Sequence, residues 1–519
     1  MSGAVLTGAR QLARLVSIAR TLARHDALFP LEDLGAPAML IAAARLLSRR
    51  DPRMAALRPG LRLAAALQAL GPSFIKLGQA LSVRSDLLGA EIAADLSALQ
   101  DRLPPFGAAE ARATIEAELG KPVAELFKEF DDRPVAAASI AQVHYAITAE
   151  GEEAAVKILR PGIEAAFARD LALFDWLASL VERARPELRR LKPRQVVATF
   201  RETVRVEMDL RLEGAAASEF RASLAEDARV RIPKVDWSRT ARRVLTLERI
   251  VGIPVDERAA LVAAGHDPDA LIAHAAESFF TQVFKNGFFH ADMHPGNLFV
   301  DSEGRLVMVD FGIMGRIDRK TRIFLAEMLV GFLSGDYRAV AEVHFRAGYV
   351  KRGKSLEAFM LAARAIAEPI VNKPLHEISL ARLLGQLFQV TETFEMETQP
   401  QLLLLQKSML VAEGVGRMLN PEINMWQLAR PLVEAWMIEN RGPEAMIRDR
   451  LQGLADLATR LPDLARDAGD ALEQLAQGGL RLDPETIAAL AERRSGGKAL
   501  LWPLWAAVAL LFLILLVLL

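Results

Sequence analysis

Two carboxylates and an amide stand close together in residues 288–312 and could perform chemistry. Asp292 and Asn297 lie five positions apart in the sequence HADMHPGN, and Asp310 opens an Asp-Phe-Gly triplet after a short apolar run that is predicted to be a strand. Phosphoryl transfer needs such a set, because one carboxylate orients the acceptor while an amide oxygen and a second carboxylate hold Mg²⁺ against the phosphates. The triplet alone is a weak signal, but its combination with the D-x-x-x-x-N spacing is specific. The sequence therefore predicts a site for ATP with Asp292 as the catalytic residue and Asn297 and Asp310 as Mg²⁺ ligands.

A lysine on a predicted strand is the candidate anchor for the phosphates. Lys157 lies on the returning strand of a hairpin that turns at Gly151, and strand alternation places it on the same face as Ala155. Strand lysines usually extend into water. Here, however, a loop of small residues precedes the hairpin and could fold over the lysine, which favours a phosphate-binding role. The loop consists of Ala136, Ala137, Ala138 and Ser139.

A phosphate-binding lysine also needs a carboxylate from a helix to fix it. Residues 195–220 are predicted to form one acidic helix, and the residues alone do not select among its carboxylates. Two short strands are predicted next, at residues 232–236 and 244–248, and residues 251–254 mark a hinge between two lobes. Glu248, at the end of the second strand, is assigned to the nucleotide site. The carboxylates on the helix are Glu202, Glu207, Asp209, Glu213 and Glu219.

These motifs together resemble those of the UbiB / aarF-domain (ADCK) atypical kinases of coenzyme Q biosynthesis. The resemblance covers roughly residues 71–316, about half of the chain, and four elements carry it. Lys76 and Gln79 match a K-x-G-Q element, and residues 136–139 match an Ala-rich loop that replaces G-x-G-x-x-G. Glu207 and Asp209 match an E-x-D element, and residues 290–297 match the family's form of H-R-D-x-x-x-x-N.

The resemblance implies a role for each element. It leaves Glu213 as the match to the helical glutamate that pairs with Lys157. It implies that the helix carrying Lys76 and Gln79 lies over the active site, so that these residues, with Glu207 and Asp209, are regulatory. The implied fold class is α+β, a protein-kinase-like bilobal fold with an N-terminal helical extension. The implied activity is ATP binding and hydrolysis, with Mg²⁺, coupled to lipid precursors of ubiquinone at a membrane.

Departures from ordinary protein kinases argue against a peptide substrate. Alanine in place of glycine narrows the backbone conformations available over the phosphates. Ala291 stands where an arginine would receive an activation-loop phosphate. After Gly312 the chain enters a predicted helix from about Lys320 without an A-P-E segment to support a peptide.

Three other kinds of functional site, a P-loop, a zinc site and a dinucleotide-binding site, are not supported by the sequence. Residues 348–355 match the Walker A pattern, but they follow a predicted helix instead of a strand, so Lys354 is assigned to a loop between helices. His290 and His294 could suggest zinc, but Pro295 rules out a helical pair of ligands, and His290 is predicted to brace the loop by hydrogen bonds. No G-x-G-x-x-G follows a strand, so a flavin- or NAD-dependent hydroxylase finds no support.

The composition restricts the remaining classes. The 519 residues include no cysteine, which excludes disulfides, thiolate catalysis and cysteine-ligated metals, and fits a cytoplasmic catalytic portion. The 64 basic residues (Lys+Arg) and 65 acidic residues nearly balance, with 3 Tyr and 6 Trp, so no nucleic-acid partner is predicted.

Both ends of the chain predict contact with a membrane. Residues 1–30 could form a helix with arginines on one face, which could lie on anionic lipids, act as an organellar targeting segment or pack on the protein itself. Residues 499–519 carry no charge, and at about 1.5 Å per residue they would span about 31 Å as a transmembrane anchor. The arginines of the first segment are Arg10, Arg14, Arg20 and Arg24.

We therefore expect a membrane-anchored, kinase-like ATPase that is required for or regulates ubiquinone biosynthesis and acts on or extracts lipid-soluble quinone precursors. The catalytic portion would face the cytoplasm from the inner membrane, or lie at the mitochondrial inner membrane in a eukaryote. Expected partners are anionic lipids, ubiquinone precursors and other enzymes of the pathway. The alternatives are an ATP-gated scaffold or lipid chaperone with little catalysis, and a small-molecule kinase. The expected parts are residues 1–115 (helical extension), 116–250 (first lobe), 251–440 (second lobe), 441–498 (helical tail) and 499–519 (anchor).

Overall fold

The structure is a computed structural model, which describes residues 14–29, 38–46, 48–82, 89–97, 99, 103–184, 193–351, 353–368, 390, 393–396, 400–420, 422 and 425–441. Nearly all of the predicted tail (442–498) and the whole predicted anchor (499–519) lie outside these residues, as do residues 1–13. In the part of the chain that is described, no helix is both long enough and apolar enough to cross a bilayer.

The N-terminal extension is helical, as expected. Pro59 opens the second of its labelled helices, and Gly71, with a φ of 103°, ends that helix and lets the next begin at once. Leu67, Phe74 and Leu96 bury their side chains in the common core. The helices are α1 (Ala38–Leu46), α2 (Pro59–Leu70), α3 (Pro72–Ser82) and α4 (Ala90–Ser97), and residues 14–24 are helical before them.

The described part of the N-terminal arginine-rich segment packs on the protein. Leu22 and Leu28 are buried, and the Arg14 guanidinium pairs with Asp170 at 3.0 Å. Arg20 and Arg24 stay exposed. For residues 14–24, packing on the protein is therefore the arrangement observed among the three that the sequence left open.

The first lobe is built on an antiparallel sheet. The elements of this region are α5 (Ala108–Leu119), α6 (Val123–Leu126), β1 (Phe127–Phe130), β2 (Ala136–Ala137), β3 (Ala141–Thr148), β4 (Glu153–Leu159), α7 (Ile163–Ala184), α8 (Pro193–Glu207), α9 (Leu210–Ser223), β5 (Val230–Arg231) and β6 (Val244–Glu248). The strand order in the sheet is β1-β3-β4-β6, and β2 is added by pairing with β3. The burial of β4 alternates: Val156 and Ile158 enter the core under the sheet, and Lys157 lies on the opposite face, as predicted.

The single helix predicted over residues 195–220 is wrong, because the chain forms two helices there. Helix α8 ends at Glu207, and α9 begins at Leu210. Asp209 has extended backbone angles, and its carboxylate accepts a hydrogen bond from the Arg211 N–H at 3.2 Å, which is the geometry of an N-cap. The E-x-D element therefore forms the joint between the two helices.

The second lobe combines two small sheets with a helical layer. The elements are β7 (Ile253–Pro254), α10 (Arg258–Ala263), α11 (Pro268–Phe280), β8 (Phe288–His290), β9 (Leu298–Val300), β10 (Leu306–Met308), β11 (Met314–Arg316), α12 (Arg319–Ser334), α13 (Tyr337–Arg346), α14 (Leu356–Ala367), α15 (Pro400–Leu419) and α16 (Met425–Arg441). One sheet has the strand order β5-β10-β9-β7, and β8 pairs with β11 in the other. A π-helical turn, Thr281–Asn286, links α11 to β8.

The Walker-like segment connects two helices, as predicted. It follows α13, not a strand, and Ser355 caps α14 by accepting a hydrogen bond from the Ala358 N–H at 3.2 Å. Lys354 pairs with Glu395 at 2.9 Å on the surface. This confirms that Lys354 lies in a loop between helices.

The described residues up to Glu182 and from Pro193 to Met437 belong to one compact unit. The last two residues of α7, Arg183 and Ala184, and the end of α16 from Ile438 belong to a second. The largest apolar cluster of the first unit includes Phe74 of α3, Phe311 of the Asp-Phe-Gly triplet and Leu405 of α15. The active-site segment and these helices therefore share one core.

Candidate active site

The centre of the site is a lysine held by two carboxylates. Lys157 Nζ lies 2.7 Å and 3.0 Å from the two carboxylate oxygens of Glu213, and 3.3 Å from Asp310 Oδ2. β4 places the lysine, and the first turn of α9 places Glu213, whose side chain is buried. The pair that the resemblance implied is present in the structure. The other helical carboxylates lie elsewhere: Glu202 pairs with Arg205, and Glu219 pairs with Arg316.

The three charged groups of this cluster shift one another's pKa values. Burial alone would lower the pKa of Lys157, but the carboxylates of Asp310 and Glu213 outweigh it and raise that pKa. Partial removal from water would raise the pKa of Asp310, yet the ammonium groups of Lys157 and Lys76 hold it well below its usual range. Burial raises the pKa of Glu213 despite its lysine partner. At neutral pH, Lys157 is a cation and Asp310 is an anion.

Asp310 has an unusual backbone conformation. Its φ is +61°, in the left-handed region that non-glycine residues rarely adopt. Its Oδ1 accepts a hydrogen bond from the Gly312 N–H at 3.2 Å, which supports this conformation. The side chain is 49% exposed, so it is accessible to a bound ligand. Strained backbone at such a position is typical of functional sites.

The catalytic-loop segment is braced by a buried histidine. His290 Nδ1 accepts a hydrogen bond from the Asp292 N–H at 3.2 Å, and Nε2 lies 3.1 Å from the carbonyl oxygen of Val309. Burial lowers the pKa of His290, so the ring is neutral, with the proton on Nε2. This confirms the bracing predicted for His290, which ties the loop to the strand leading to Asp310.

The two polar residues of the D-x-x-x-x-N motif are joined directly. The Asn297 side-chain N–H donates to the carbonyl oxygen of Asp292 at 3.0 Å. That bond leaves the amide oxygen of the buried Asn297 as an acceptor. Pro295–Asn297 forms a short 3₁₀ turn, which His294 caps through Nδ1 by accepting from the Gly296 N–H at 3.1 Å.

The donor set fits Mg²⁺ and a nucleotide. The amide oxygen of Asn297 and the ionised carboxylate of Asp310 are hard oxygen ligands of the kind that Mg²⁺ prefers, with substrate phosphates completing its shell. In the described ranges there is no group of three or more His, Asp or Glu arranged to hold a metal ion. Bound Mg²⁺ would neutralise phosphate charge during transfer.

The K-x-G-Q element approaches this centre from the N-terminal extension. Lys76 of α3 pairs with Glu207, the last residue of α8, at 3.1 Å, and both side chains are largely buried. Gln79 lies one turn further along α3. Between them, Gly78 packs so closely that an added Cβ would lie 2.8 Å from Leu67 Cδ1. Glycine at this position therefore sets the distance of α3 from α2.

The Ala-rich loop begins as a strand, and an arginine holds it by hydrogen bonds. Ala136 and Ala137 pair with β3, and the Arg160 guanidinium donates to the carbonyl oxygen of Ala138 at 2.8 Å and 3.1 Å. Ser139 is fully buried. Sequence reasoning missed Arg160, although its place directly after the Lys157 strand could have drawn attention to it.

Glu248 lies where the first lobe ends. It is the last residue of β6, and its carboxylate accepts a hydrogen bond from the Lys234 N–H at 3.1 Å and pairs with Arg231. Its side chain is thus engaged within the protein, and the structure gives it no contact with the Lys157 cluster.

A second lysine, which sequence reasoning missed, contacts the predicted catalytic residue. Lys407 of α15 places Nζ 2.9 Å from Asp292 Oδ1, while His294 Nε2 lies 3.8 Å from Asp292 Oδ2. Lys407 follows Asp292 by 115 positions. The residues around Lys407 predict an ordinary leucine-rich helix, so no local sequence pattern identifies Lys407 as a site residue.

Comparison with known proteins gives a consistent assignment. An ABC1 atypical kinase-like domain matches residues 98–344, and a UbiB helical domain matches residues 363–424. The probable protein kinase UbiB of Xanthomonas euvesicatoria pv. vesicatoria (strain 85-10) is 42% identical over 495 residues, which cover 92% of this chain and 88% of that protein. The probable protein kinase UbiB of Pseudomonas putida (strain W619) is 43% identical over 493 residues, covering 93% and 89%. The structure of the Mycobacterium tuberculosis protein Rv3197 in complex with erythromycin matches with a TM-score of 0.51 and 26% identity, over 69% of this chain and 90% of that one.

The fold and the site define a protein of the kinase-like class: a lysine–glutamate pair in the first lobe faces a D-x-x-x-x-N loop and an Asp-Phe-Gly triplet in the second. Within this class, the chain belongs to the UbiB family of ABC1 atypical kinase-like proteins. This confirms the family resemblance drawn from the motifs.

Proposed function

We propose that this chain is a membrane-associated ATPase that supports ubiquinone biosynthesis by acting on lipid-soluble quinone precursors. The observation that carries the proposal is the cluster of Lys157, Glu213 and Asp310 facing the loop that bears Asp292 and Asn297. In this proposal Lys157 binds the α- and β-phosphates, Asn297 and Asp310 hold Mg²⁺, and Asp292 orients the attacking water or acceptor hydroxyl.

The connection after the Asp-Phe-Gly triplet supports an acceptor other than a peptide. Only Ile317 and Asp318 separate β11 from α12, and Asp318 is already the N-cap of that helix. A peptide substrate would need a supporting segment there. Water or a small acceptor needs none.

The proposed function is tested by ATP hydrolysis of the full chain in detergent, with and without vesicles of anionic lipid. We expect turnover by the wild type, stimulation by the vesicles, and a loss of at least about 100-fold in Asp310→Asn, because the Mg²⁺ ligand is weakened. Turnover that is unchanged in Asp310→Asn would come from a different site or a contaminant, and would contradict the proposal.

A small-molecule kinase is the second candidate, and the same two-residue connection favours it. Phosphorylated quinone precursor, detected by mass spectrometry after incubation with ATP, would decide for it against hydrolysis alone. An ATP-gated scaffold would be distinguished by quinone production that survives Asp292→Asn but not deletion of residues 499–519.

A further inference from the structure

The contact between Lys407 and Asp292 brings a residue from outside the kinase-like segment into the site. The match to the kinase-like domain ends at residue 344, whereas Lys407 lies in the segment that matches the helical domain. The two side chains are 31% and 25% exposed, so both reach solvent while remaining in contact at 2.9 Å. The pair is therefore accessible to a bound ligand.

Helix α15 packs against the protein around Lys407. Leu405, two positions before Lys407, and Ser408, directly after it, are buried, and Ser408 Oγ donates to the carbonyl oxygen of Leu404 at 2.9 Å. At the end of the helix, the Arg258 guanidinium donates to the carbonyl oxygen of Leu419 at 2.8 Å. Because this packing orders the backbone of α15, only the Lys407 side chain has to be ordered for the contact with Asp292 to form.

The catalytic loop itself supplies no permanent cation. Residues 288–297 include no lysine or arginine. His294 is engaged in the local turn, since its Nδ1 accepts from the Gly296 N–H, and its other ring nitrogen is 3.8 Å from Asp292. Lys157, in turn, already lies between two carboxylates. On the acceptor side of the site, Lys407 is therefore the cation that the structure places against Asp292.

A cation at this position suits phosphoryl transfer. The Lys407 ammonium, 2.9 Å from the Asp292 carboxylate, is close enough to contact a phosphoryl group that approaches an acceptor held by Asp292. Phosphoryl transfer depends mainly on positioning and on stabilising the charge of the phosphoryl oxygens. Because Asp292 would contact the attacking hydroxyl, its ion-pair partner lies beside the phosphoryl group that is attacked.

We propose that Lys407 is a catalytic residue that contacts the γ-phosphoryl oxygens of ATP in the transition state, so that the helical domain completes the site. This inference rests on the proposed ATPase function. In the reaction the acceptor oxygen bonds to the γ-phosphorus, and its proton passes to Asp292. The bond to the β,γ-bridging oxygen breaks, and that oxygen leaves on ADP with the electron pair.

The test compares Lys407→Met with wild type in steady-state hydrolysis. We expect kcat to fall about 100- to 1,000-fold, as for the loss of one transition-state donor, with KM within about threefold. Lys407→Arg keeps the charge and the donors, so it should retain at least about one tenth of the wild-type kcat. Lys407→Gln provides a second neutral variant if Lys407→Met fails to fold.

A binding measurement gives a readout that does not depend on turnover. ADP with aluminium fluoride mimics the transferred phosphoryl group, and transition-state mimics report contacts that ADP alone does not make. By calorimetry, Lys407→Met should bind ADP–aluminium fluoride at least about 30-fold more weakly than wild type while binding ADP within about threefold.

Lys354→Met is the matched control. Its ammonium also pairs with a carboxylate at 2.9 Å, its side chain is 30% exposed, and it lies in the loop before α14. Both its kcat and its affinity for the analogue should equal those of wild type. Equal losses in Lys354→Met and Lys407→Met would reveal a general effect of removing a surface lysine and would overturn the assignment.

The outcomes separate the two proposals. If the wild type hydrolyses ATP and Asp310→Asn does not, but Lys407→Met keeps both kcat and analogue affinity, then Lys407 forms only an ion pair and this inference fails alone. A rise in KM at constant kcat contradicts it as well. If the wild type does not hydrolyse ATP, the proposed function fails. If, in addition, Lys407→Met binds ADP–aluminium fluoride as tightly as the wild type does, this inference fails as well.

Discussion

The phosphate side and the acceptor side of the site are held together in different ways. On the phosphate side, Lys157 lies between Glu213 and Asp310, and all three residues come from the kinase-like segment. On the acceptor side, Asp292 has a lysine partner from a helix 115 positions further along the chain, and the pair is partly exposed. The first arrangement is built into one domain, whereas the second depends on the packing of another.

Because of this difference, substitutions on the two sides should change the stability of the protein by different amounts. Removal of one member of a buried ion pair leaves a charge without compensation, which is strongly destabilising. A partly exposed pair is screened by water and contributes little to stability. We therefore expect substitutions on the phosphate side to affect both folding and binding, and substitutions on the acceptor side to affect mainly the chemical step.

The largest effect is expected for Lys157→Met. It leaves Glu213 buried without its cation, so the free energy of unfolding should fall by about 3 kcal/mol, and nucleotide affinity should fall by at least about 100-fold because the phosphate contact is lost. Urea denaturation and calorimetry measure the two quantities. If Lys354→Ala lost nucleotide binding while Lys157→Met retained it, the interpretation of the site as kinase-like would be wrong.

Asp292→Asn should separate chemistry from binding. The change keeps the shape of the side chain and its loop contacts but removes the charge, so kcat for ATP hydrolysis should fall by about 100-fold or more. Nucleotide affinity and the urea midpoint should stay near those of wild type, because the Lys157 cluster is untouched. A large loss of affinity in this variant would mean that the two sides are not independent.

Gly78→Ala tests how closely α3 must approach. Alanine favours a helix interior over glycine by about 1 kcal/mol, but its Cβ would meet Leu67 Cδ1 at 2.8 Å and Leu99 Cδ1 at 3.3 Å. Gly414→Ala in α15 is the control, since its Cβ would have nothing within 4 Å. By urea denaturation, Gly414→Ala should be stabilising and Gly78→Ala neutral or destabilising. Equal gains in both would mean that the packing at Gly78 adapts at no cost.

The smallest effect concerns pH. Burial lowers the pKa of His290 in the folded chain, so below the unfolded value of about 6.5 the unfolded chain binds more protons. The free energy of unfolding should therefore fall as the pH drops through and below that value. Protonation of Nδ1 would also break its hydrogen bond from the Asp292 N–H.

Hydrogen exchange at pH 7.5 and 5.5 can locate this effect. The protection factor of the Asp292 amide should decrease at pH 5.5, whereas that of the Lys157 amide, inside the β4 ladder, should change less. Buried His144 and His344 also have lowered pKa values through burial, so they add to the global loss of stability but not to the local loss at Asp292. Equal loss of protection at both amides would indicate global unfolding alone.

The same contrast explains how far the sequence could predict the site. Lys157, Asp292, Asn297 and Asp310 stand in local motifs whose spacing reflects strand alternation and loop length, so their pattern is visible in the chain. Glu213 was selected only through the family resemblance, because five carboxylates on a predicted helix looked equivalent. Lys407 carries no local signal, since its proximity to Asp292 arises from the packing of α15.

The error over residues 195–220 has a physical origin too. The apolar periodicity continues through Glu207 and Asp209, and residues 195–213 contain neither proline nor glycine to interrupt it. Asp209 nevertheless adopts extended angles because its carboxylate satisfies an N–H at the start of α9. A capping residue within a continuous pattern is hard to distinguish from a solvent-exposed acid on a helix.

The two-residue connection between β11 and α12 has one further consequence. Ile317 is buried and its N–H donates to the carbonyl oxygen of Gly287 at 2.8 Å, while Asp318 caps α12. Residues 317 and 318 are therefore held in place and cannot move across the bound phosphates. We expect access to the phosphates to depend instead on elements such as α3 and α15, whose lysines lie close to Asp310 and Asp292.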